Sequence, residues 1–297
     1  MTLRDVGIEL GYRVGWSAVR RLPERQAYAV FNRLADTAWR RQGTSVRRLR
    51  SNLSQVVGPG VDAAALDELT REGMRSYLRY WCETFRLPDW SREEIVERFI
   101  CDNEHRLEAS LEAGNGVILA LPHMGNWDHA GAWACIKHRP LMTVAERLKP
   151  ERLYDQFVAY RESLGMTVLP LTGGGTETFR ALIGRLREGG LVCLVADRDL
   201  TERGIEVKFF GGRTKMPVGP AMLAAQTGAA LHPVTLRFDG RFQRVDIGEQ
   251  VTPDRTLERQ AMSRDATQQM ADVFAAGIVA APQDWHMMSR VWLDDSA

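Results

Sequence analysis

Much that would make a chain easy to classify is scarce here. There are only four cysteines in 297 residues, Cys82, Cys101, Cys135 and Cys193. No two of them have metal-ligand spacing, and a disulfide framework is implausible at this length, so reduced thiols in a cytoplasmic protein are expected. A signal peptide is not legible, because Asp5, Glu9 and Arg13 interrupt the first apolar stretch. The longest run without formal charge, Met216 to Leu236, contains Pro217, Pro220, Gly228 and Pro233. It reads as a helix followed by a strand, not as a membrane span. Internal repeats, low-complexity tracts and linkers are absent. A net charge of +1 creates no overall field toward nucleic acid, so no nucleic-acid partner is expected. No Gly-x-Ser-x-Gly elbow supports a serine hydrolase, no Walker A loop supports an NTPase, and no His/Cys/Asp cluster suggests a metal.

What is present is unevenly placed. Apolar residues make up 44% and charged residues 26%, which suits a folded domain of this length. Residues 1–50 hold eleven arginines against four acidic residues, about +7, leaving about −6 for the remainder. With Tyr12, Trp16, Phe31 and Trp39 interleaved, this segment reads either as a surface for anionic membrane lipids or as solvated helix faces.

Residues 1–87 carry helical periodicity, as in Val6, Leu10, Val14 and in Tyr28, Phe31, Leu34, Ala35. Asp62 can cap a helix after the Gly-Pro-Gly break at 58–60. Pro88 and Trp90 close the block, and Ser91 with Glu94 forms a capping box. From Gly114 onward short apolar runs alternate with helical segments: Val117 to Leu121, Leu141 to Ala145, Thr167 to Leu171, Leu191 to Ala196 and Leu231 to Phe238. Such runs predict an α/β fold, a central mostly parallel sheet covered on both faces by helices. Phe242 to Ile247 adds a candidate edge strand, and Glu258 to Ala281 a closing helix ended by Pro282. The predicted organisation is one domain, with a membrane-associating helical segment (1–87) packed on an α/β core (88–297).

The sharpest local feature is Leu121-Pro-His-Met-Gly-Asn-Trp-Asp128. His123 follows an apolar strand, at the sheet edge where open α/β folds bind ligands. Gly125 allows a tight turn, and Asn126 or Asp128 begins a helix. An imidazole accepts a proton near neutral pH, and a carboxylate one turn later can fix its tautomer and stabilise the imidazolium. The predicted catalytic pair is therefore His123 and Asp128, with a substrate hydroxyl as nucleophile.

His123-Met-Gly-Asn-Trp-Asp128 resembles the His-x4-Asp/Glu motif of the glycerolipid acyltransferase superfamily. Further resemblances follow in order: Arg161-Glu-Ser-Leu-Gly165, Val195-Ala-Asp-Arg-Asp199, Phe209-Phe-Gly-Gly212, Ala221-Met-Leu-Ala-Ala225 and Pro282-Gln-Asp-Trp-His-Met-Met-Ser-Arg290. Together they narrow it to the branch holding the bacterial lipid A late acyltransferases and the mycobacterial acyltransferase of phosphatidylinositol mannosides. Thr143-Val-Ala-Glu-Arg-Leu-Lys-Pro150 and the arginine-rich N-terminus look like the latter. The superfamily's Pro-Glu-Gly-Thr arrangement is absent.

The resemblance implies transfer of palmitate from acyl-CoA, a co-substrate, to a mannose 6-hydroxyl of a phosphatidylinositol mannoside. It implies no cofactor and no metal, and a peripheral location on the cytoplasmic face of the inner membrane. His123 would be the general base and Asp128 its orienting partner. Four further residues are implied at the substrates. Glu146 would accept from sugar hydroxyls, or simply begin a helix. Arg161 would hold the acceptor phosphate or brace the site carboxylates. Asp197 and Arg198 would contact substrate, or form a turn ion pair. Gly173-Gly-Gly175 is either a phosphate cradle for a nucleotide-dependent transferase or a plain turn. Trp285-His286-Met-Met288 either lines an acyl site or caps the core.

Overall fold

The computed structural model describes residues 19–147, 151–171, 175–199, 204–254 and 256–293. Helices α1 (Glu24–Arg40), α2 (Thr44–Val57) and α3 (Ala63–Arg86) form the N-terminal layer. Asp62 caps α3 by accepting from the Ala65 N–H at 2.7 Å. The layer has its own apolar clusters: Val46, Leu49 and Leu53 of α2 pack with Leu66 and Met74 of α3, and Ala27 and Phe31 of α1 pack with Cys82. Asp36 of α1 adds ion pairs to both Arg71 (3.0 Å) and Arg75 (2.9 Å) of α3. A 3-10 turn (Leu87–Asp89) ends the layer, and Ser91 caps the short α4 (Arg92–Glu97) through the Glu94 N–H at 3.1 Å.

Beyond it, β1 (Phe99–Asp102), α5 (Glu104–Glu112), β2 (Val117–Leu121), α6 (Trp127–Lys137), β3 (Leu141–Ala145), α7 (Glu151–Ser163), β4 (Thr167–Pro170), α8 (Gly175–Arg187) and β5 (Leu191–Val195) alternate as α/β units. A separate antiparallel hairpin, β6 (Ile205–Phe209) and β7 (Gly212–Met216), precedes α9 (Gly219–Thr227), β8 (Ala230–Asp239), β9 (Phe242–Ile247) and α10 (Arg259–Ala280). The main sheet has seven strands in the order β1-β9-β8-β2-β5-β3-β4, parallel except for the β8–β9 pair. This is the α/β architecture expected from the apolar runs.

All five residues of β2 are buried because both faces are covered. Ile118 and Ala120 point to a core shared with Leu186 of α8 and Met270, Phe274 and Ile278 of α10. Val117, Leu119 and Leu121 point to the opposite core, with Leu107 of α5, Trp133 of α6 and Phe157 of α7. Filling two cores from one strand costs it every polar position, hence the uninterrupted apolar run. Truncating such a residue to alanine typically costs about 2–5 kcal/mol.

Two details of this frame position the site. In the β2–β5 register Leu121 pairs with Val195, so the chain leaves both strands side by side at the same edge. The segment after α10 then returns as a short antiparallel ribbon. Gly125 N–H donates to Asp284 O (3.0 Å), His286 N–H donates to His123 O (2.8 Å), and Met124 bridges Trp285. Gly125 has φ +57°, and a Cβ there would meet the Gln243 amide at 2.9 Å and Leu236 Cβ at 3.0 Å. Only glycine combines that turn with so close an approach.

Candidate active site

Two residues beyond the paired ends of β2 and β5 stand His123 and Asp197. The His123 Nδ1–H donates to Asp197 Oδ1 at 2.6 Å, and the His123 backbone N–H donates to Asp197 Oδ2 at 3.0 Å. The Trp285 indole N–H donates to the same Oδ2 at 2.9 Å. Asp197 is fully buried. Burial alone would raise its carboxyl, but the imidazole and the hydrogen bonds from His123 and Trp285 prevail and hold it below the ordinary carboxylate range. A carboxylate only accepts, so the proton of a neutral His123 sits on Nδ1 and the Nε2 lone pair is left for a substrate proton. The imidazole is 30% exposed, enough for a substrate to reach it.

The expected contact between His123 and Asp128 is not made. Asp128 lies in the first turn of α6, beyond Gly125 and Asn126, and its carboxylate faces α3 and α7. There Oδ1 accepts from Arg161 Nε at 2.7 Å and Oδ2 from the Tyr80 hydroxyl at 2.9 Å. Burial pushes the Tyr80 phenol well up and Asp128 adds to it, so Tyr80 stays a donor. Burial opposes the charge of Arg161, yet Asp128 outweighs it and the guanidinium is held more basic than usual. The carboxylate that bonds the His123 ring is thus the fully buried Asp197 and not Asp128. Strand register, not helical spacing, decides this.

Of the other expected residues, Arg161 pairs with Asp128. Glu146 is exposed directly after β3, and Arg198 is half-buried next to Asp197. Residues 173 and 174 of the triple-glycine run lie outside the described residues. Trp285 is fully buried, and Tyr80 stacks on Trp127 at 4.1 Å between ring centroids. Trp285 was singled out as an acyl-site or core residue, but its bond to Asp197 and that of the Tyr80 phenol to Asp128 were not foreseen, since they cross 88 and 48 residues of sequence.

Two cavities meet at His123. One, about 420 Å³, runs from His123, Trp127, Glu146 and Arg161 to an apolar interior of Phe179, Leu182, Leu194 and Leu223. The other, about 350 Å³, is walled by Tyr77, Tyr80, Trp81, Trp127 and His286, and also reaches Arg198. The site therefore combines an imidazole of fixed tautomer, a cavity with a largely apolar lining and a second cavity beside it.

A family model described as bacterial lipid A biosynthesis acyltransferase matches residues 3–294. The chain belongs to that family. Among curated relatives, the phosphatidylinositol mannoside acyltransferase of Mycolicibacterium smegmatis is 48% identical over 292 residues, covering 97% of this chain and 92% of that protein. The proteins of the same description from Mycobacterium tuberculosis strains CDC 1551 and H37Rv are each 47% identical over 287 residues, covering 96% of this chain and 88% of theirs. As a family member the protein is an acyltransferase acting on glycolipids. Among the described residues no helix of this acyltransferase is long and apolar enough to cross a membrane.

Proposed function

We propose that the protein transfers a long-chain acyl group, palmitoyl, from its coenzyme A thioester to a mannose 6-hydroxyl of a phosphatidylinositol mannoside. The observation that carries the reading is the Asp197-oriented imidazole in the wall of a largely apolar cavity, where an acyl chain can lie with its thioester beside His123. The names of the similar mycobacterial proteins supply the acceptor class.

The reaction needs no covalent enzyme intermediate. His123 Nε2 removes the hydroxyl proton as the oxygen attacks the thioester carbonyl. The tetrahedral intermediate then collapses, the C–S bond breaks, and the thiolate takes up the proton from the imidazolium. Asp197 keeps the ring in the correct tautomer and stabilises its transient positive charge. Holding both substrates at one imidazole supplies the proximity term of catalysis. Arg198, which reaches both cavities, is placed to attract an anionic group of either substrate.

Peripheral attachment to the cytoplasmic face of the inner membrane completes the reading. Support comes from the outer side of α1, where Val30 (39% exposed) and Leu34 (52%) stand beside exposed Arg25 and Arg33. Replacing Arg40, Arg41, Arg47 and Arg48 by Gln should weaken binding to phosphatidylinositol-rich vesicles, each cation contributing roughly 1 kcal/mol at most. Unchanged binding at low salt rules out that attachment.

The substrate test is incubation with palmitoyl-CoA and a panel of acceptors: phosphatidylinositol, its mono- and dimannosides, and a lipid A precursor. Mass spectrometry locates the new ester and a thiol reagent follows release of coenzyme A. Acylation at O6 of a mannose is expected. Transfer to the lipid A precursor alone, or release of no thiol, overturns the proposal.

A further inference from the structure

Asn126 sits between His123 and Asp128 and fixes the start of α6. Its side-chain oxygen accepts from the His129 N–H at 3.0 Å, the capping bond of that helix. Its backbone N–H donates to Gln243 Oε1 at 2.7 Å, and the residue is wholly buried. The remaining group, the amide nitrogen, donates to Glu83 Oε2 at 3.0 Å. Glu83 is itself only 2% exposed, and its other oxygen accepts from Arg79 Nε at 2.7 Å and from the Tyr28 hydroxyl at 3.0 Å. Arg79 continues the network to Gly240 O at 2.8 Å, and its guanidinium lies 3.9 Å over the Phe238 ring. None of Tyr28, Arg79, Glu83 and Asn126 lines either cavity.

The orientation of the Asn126 amide is what this network decides. An asparagine can face its neighbours either way round, and only one way leaves oxygen toward His129 N–H. A carboxylate presents acceptors alone, so Glu83 forces the nitrogen to its side and the oxygen to the helix cap. An amide at position 83 cannot do this. With its oxygen toward Arg79 and Tyr28, its nitrogen would face the Asn126 nitrogen, and relief would require Asn126 to flip and abandon the cap. A lost cap frees the first turn of α6 to shift.

We infer that Glu83 is a positioning residue for the catalytic turn: it fixes the Asn126 amide, and through it the placement of His123 and Asp128. Through Tyr28 the same carboxylate ties that turn to α1. The inference rests on His123 acting as the base, as proposed above.

The arrangement predicts a charge relocation that works only in combination. Glu83→Gln should lower kcat for acyl transfer about 10- to 100-fold, the scale on which displacement of a catalytic group by about an ångström acts. KM for both substrates should change less than about threefold, because neither cavity is touched. Asn126→Asp alone should also lose kcat, since it sets two carboxylates against each other. Glu83→Gln with Asn126→Asp should recover kcat to within about threefold of the parent. The aspartate then caps His129 with one oxygen and accepts from the Gln amide with the other. Tyr28→Phe serves as the stability control: it removes a bond to the same carboxylate on the side away from Asn126, so melting temperature should fall while kcat holds.

All variants are assayed as full-length protein with melting curves alongside. If Glu83→Gln alone fails to fold, the double variant decides: folding and kcat both restored supports the inference, and folding restored without kcat overturns it. A folded Glu83→Gln enzyme with the parent kcat overturns it as well. The underlying reading fails separately, if His123→Gln retains transfer activity.

Discussion

The two sides of the catalytic turn hold carboxylates of similar burial and opposite use. Asp197 is 0% exposed and Asp128 1%. On the β5 side, Asp197 is surrounded by an imidazole, a backbone N–H and an indole, and among the described residues no Lys or Arg pairs with it. In the proposed mechanism its charge is available for the imidazolium that forms during proton transfer. On the α3 and α7 side, Asp128 is already matched by the Arg161 guanidinium and a phenol. That charge is spent on holding α6 against its neighbours. Burial of an acid therefore says little about its role; the permanent charge of its partners says much more.

The largest effects should come from the β5 side. His123→Ala should lower transfer about 10²- to 10⁴-fold, the usual range for loss of a general base. Asp197→Asn should also be severe, because an amide nitrogen facing Nδ1 favours the wrong tautomer. An orienting carboxylate has nothing to orient once the imidazole is gone, so the double variant should be little worse than His123→Ala. Steady-state kinetics on variants shown folded by circular dichroism checks this. Losses that multiply would place the action of Asp197 elsewhere than on His123.

Asp128→Asn should separate the two sides by reversing the balance of damage. It leaves the half-buried Arg161 beside a neutral amide, and breaking a fully buried pair from one side costs about 3–5 kcal/mol, which sets the upper bound here. Urea unfolding should show that loss. In the folded fraction the fall in kcat should be smaller than for Asp197→Asn, and it should multiply with His123→Ala instead of disappearing into it. Were Asp128→Asn to behave as Asp197→Asn does, the sides would not differ as argued.

These contrasts also mark how far the sequence can be read. β2, β3 and β9 occupy the residues predicted for them, and β5 and β8 agree within one or two residues; β2 is legible because a doubly covered strand must be apolar throughout, β9 because its burial alternates. β1 escaped notice as four residues between two helices, too short for a pattern. The β6–β7 hairpin was legible but went unread: exposed Glu206, Lys208, Arg213 and Lys215 alternate with buried Val207, Phe209, Thr214 and Met216. The turn residues Phe210 and Gly211, both at positive φ, complete the hairpin signal. His123 was found because its turn is local. The partnership of His123 with Asp197 was not, since it follows from β2 lying beside β5, a pairing across 74 residues. Two in-register parallel strands, each ending two residues before a titratable side chain, carry that signal only once the strand order is known.

Another buried acid at the same turn extends the comparison and gives the smallest predicted effect. Asp284, 2% exposed, accepts from the Ser76 hydroxyl at 2.6 Å and from the Phe238 N–H at 2.8 Å, and it makes no ion pair among the described residues. Burial raises its carboxyl to about 6 against the modest lowering by those two bonds. The proton is thus bound more tightly in the folded protein than in the unfolded chain, where an aspartate titrates near 3.9. Folding gains stability from this group below about pH 4 and loses it as pH rises through 6. The loss by pH 7 is about 3 kcal/mol for about two pKa units at 1.36 kcal/mol each. Asp284→Asn should remove that slope. Its amide oxygen can accept from Phe238, and its nitrogen can donate to Ser76 once the serine hydroxyl turns to the His286 Nε2 that lies 2.9 Å away. Urea unfolding of parent and variant at pH 4.5, 5.5 and 7 reads the difference directly. The variant should overtake the parent in stability as pH rises; parallel curves would mean that Asp284 is ionised throughout, as Asp197 is.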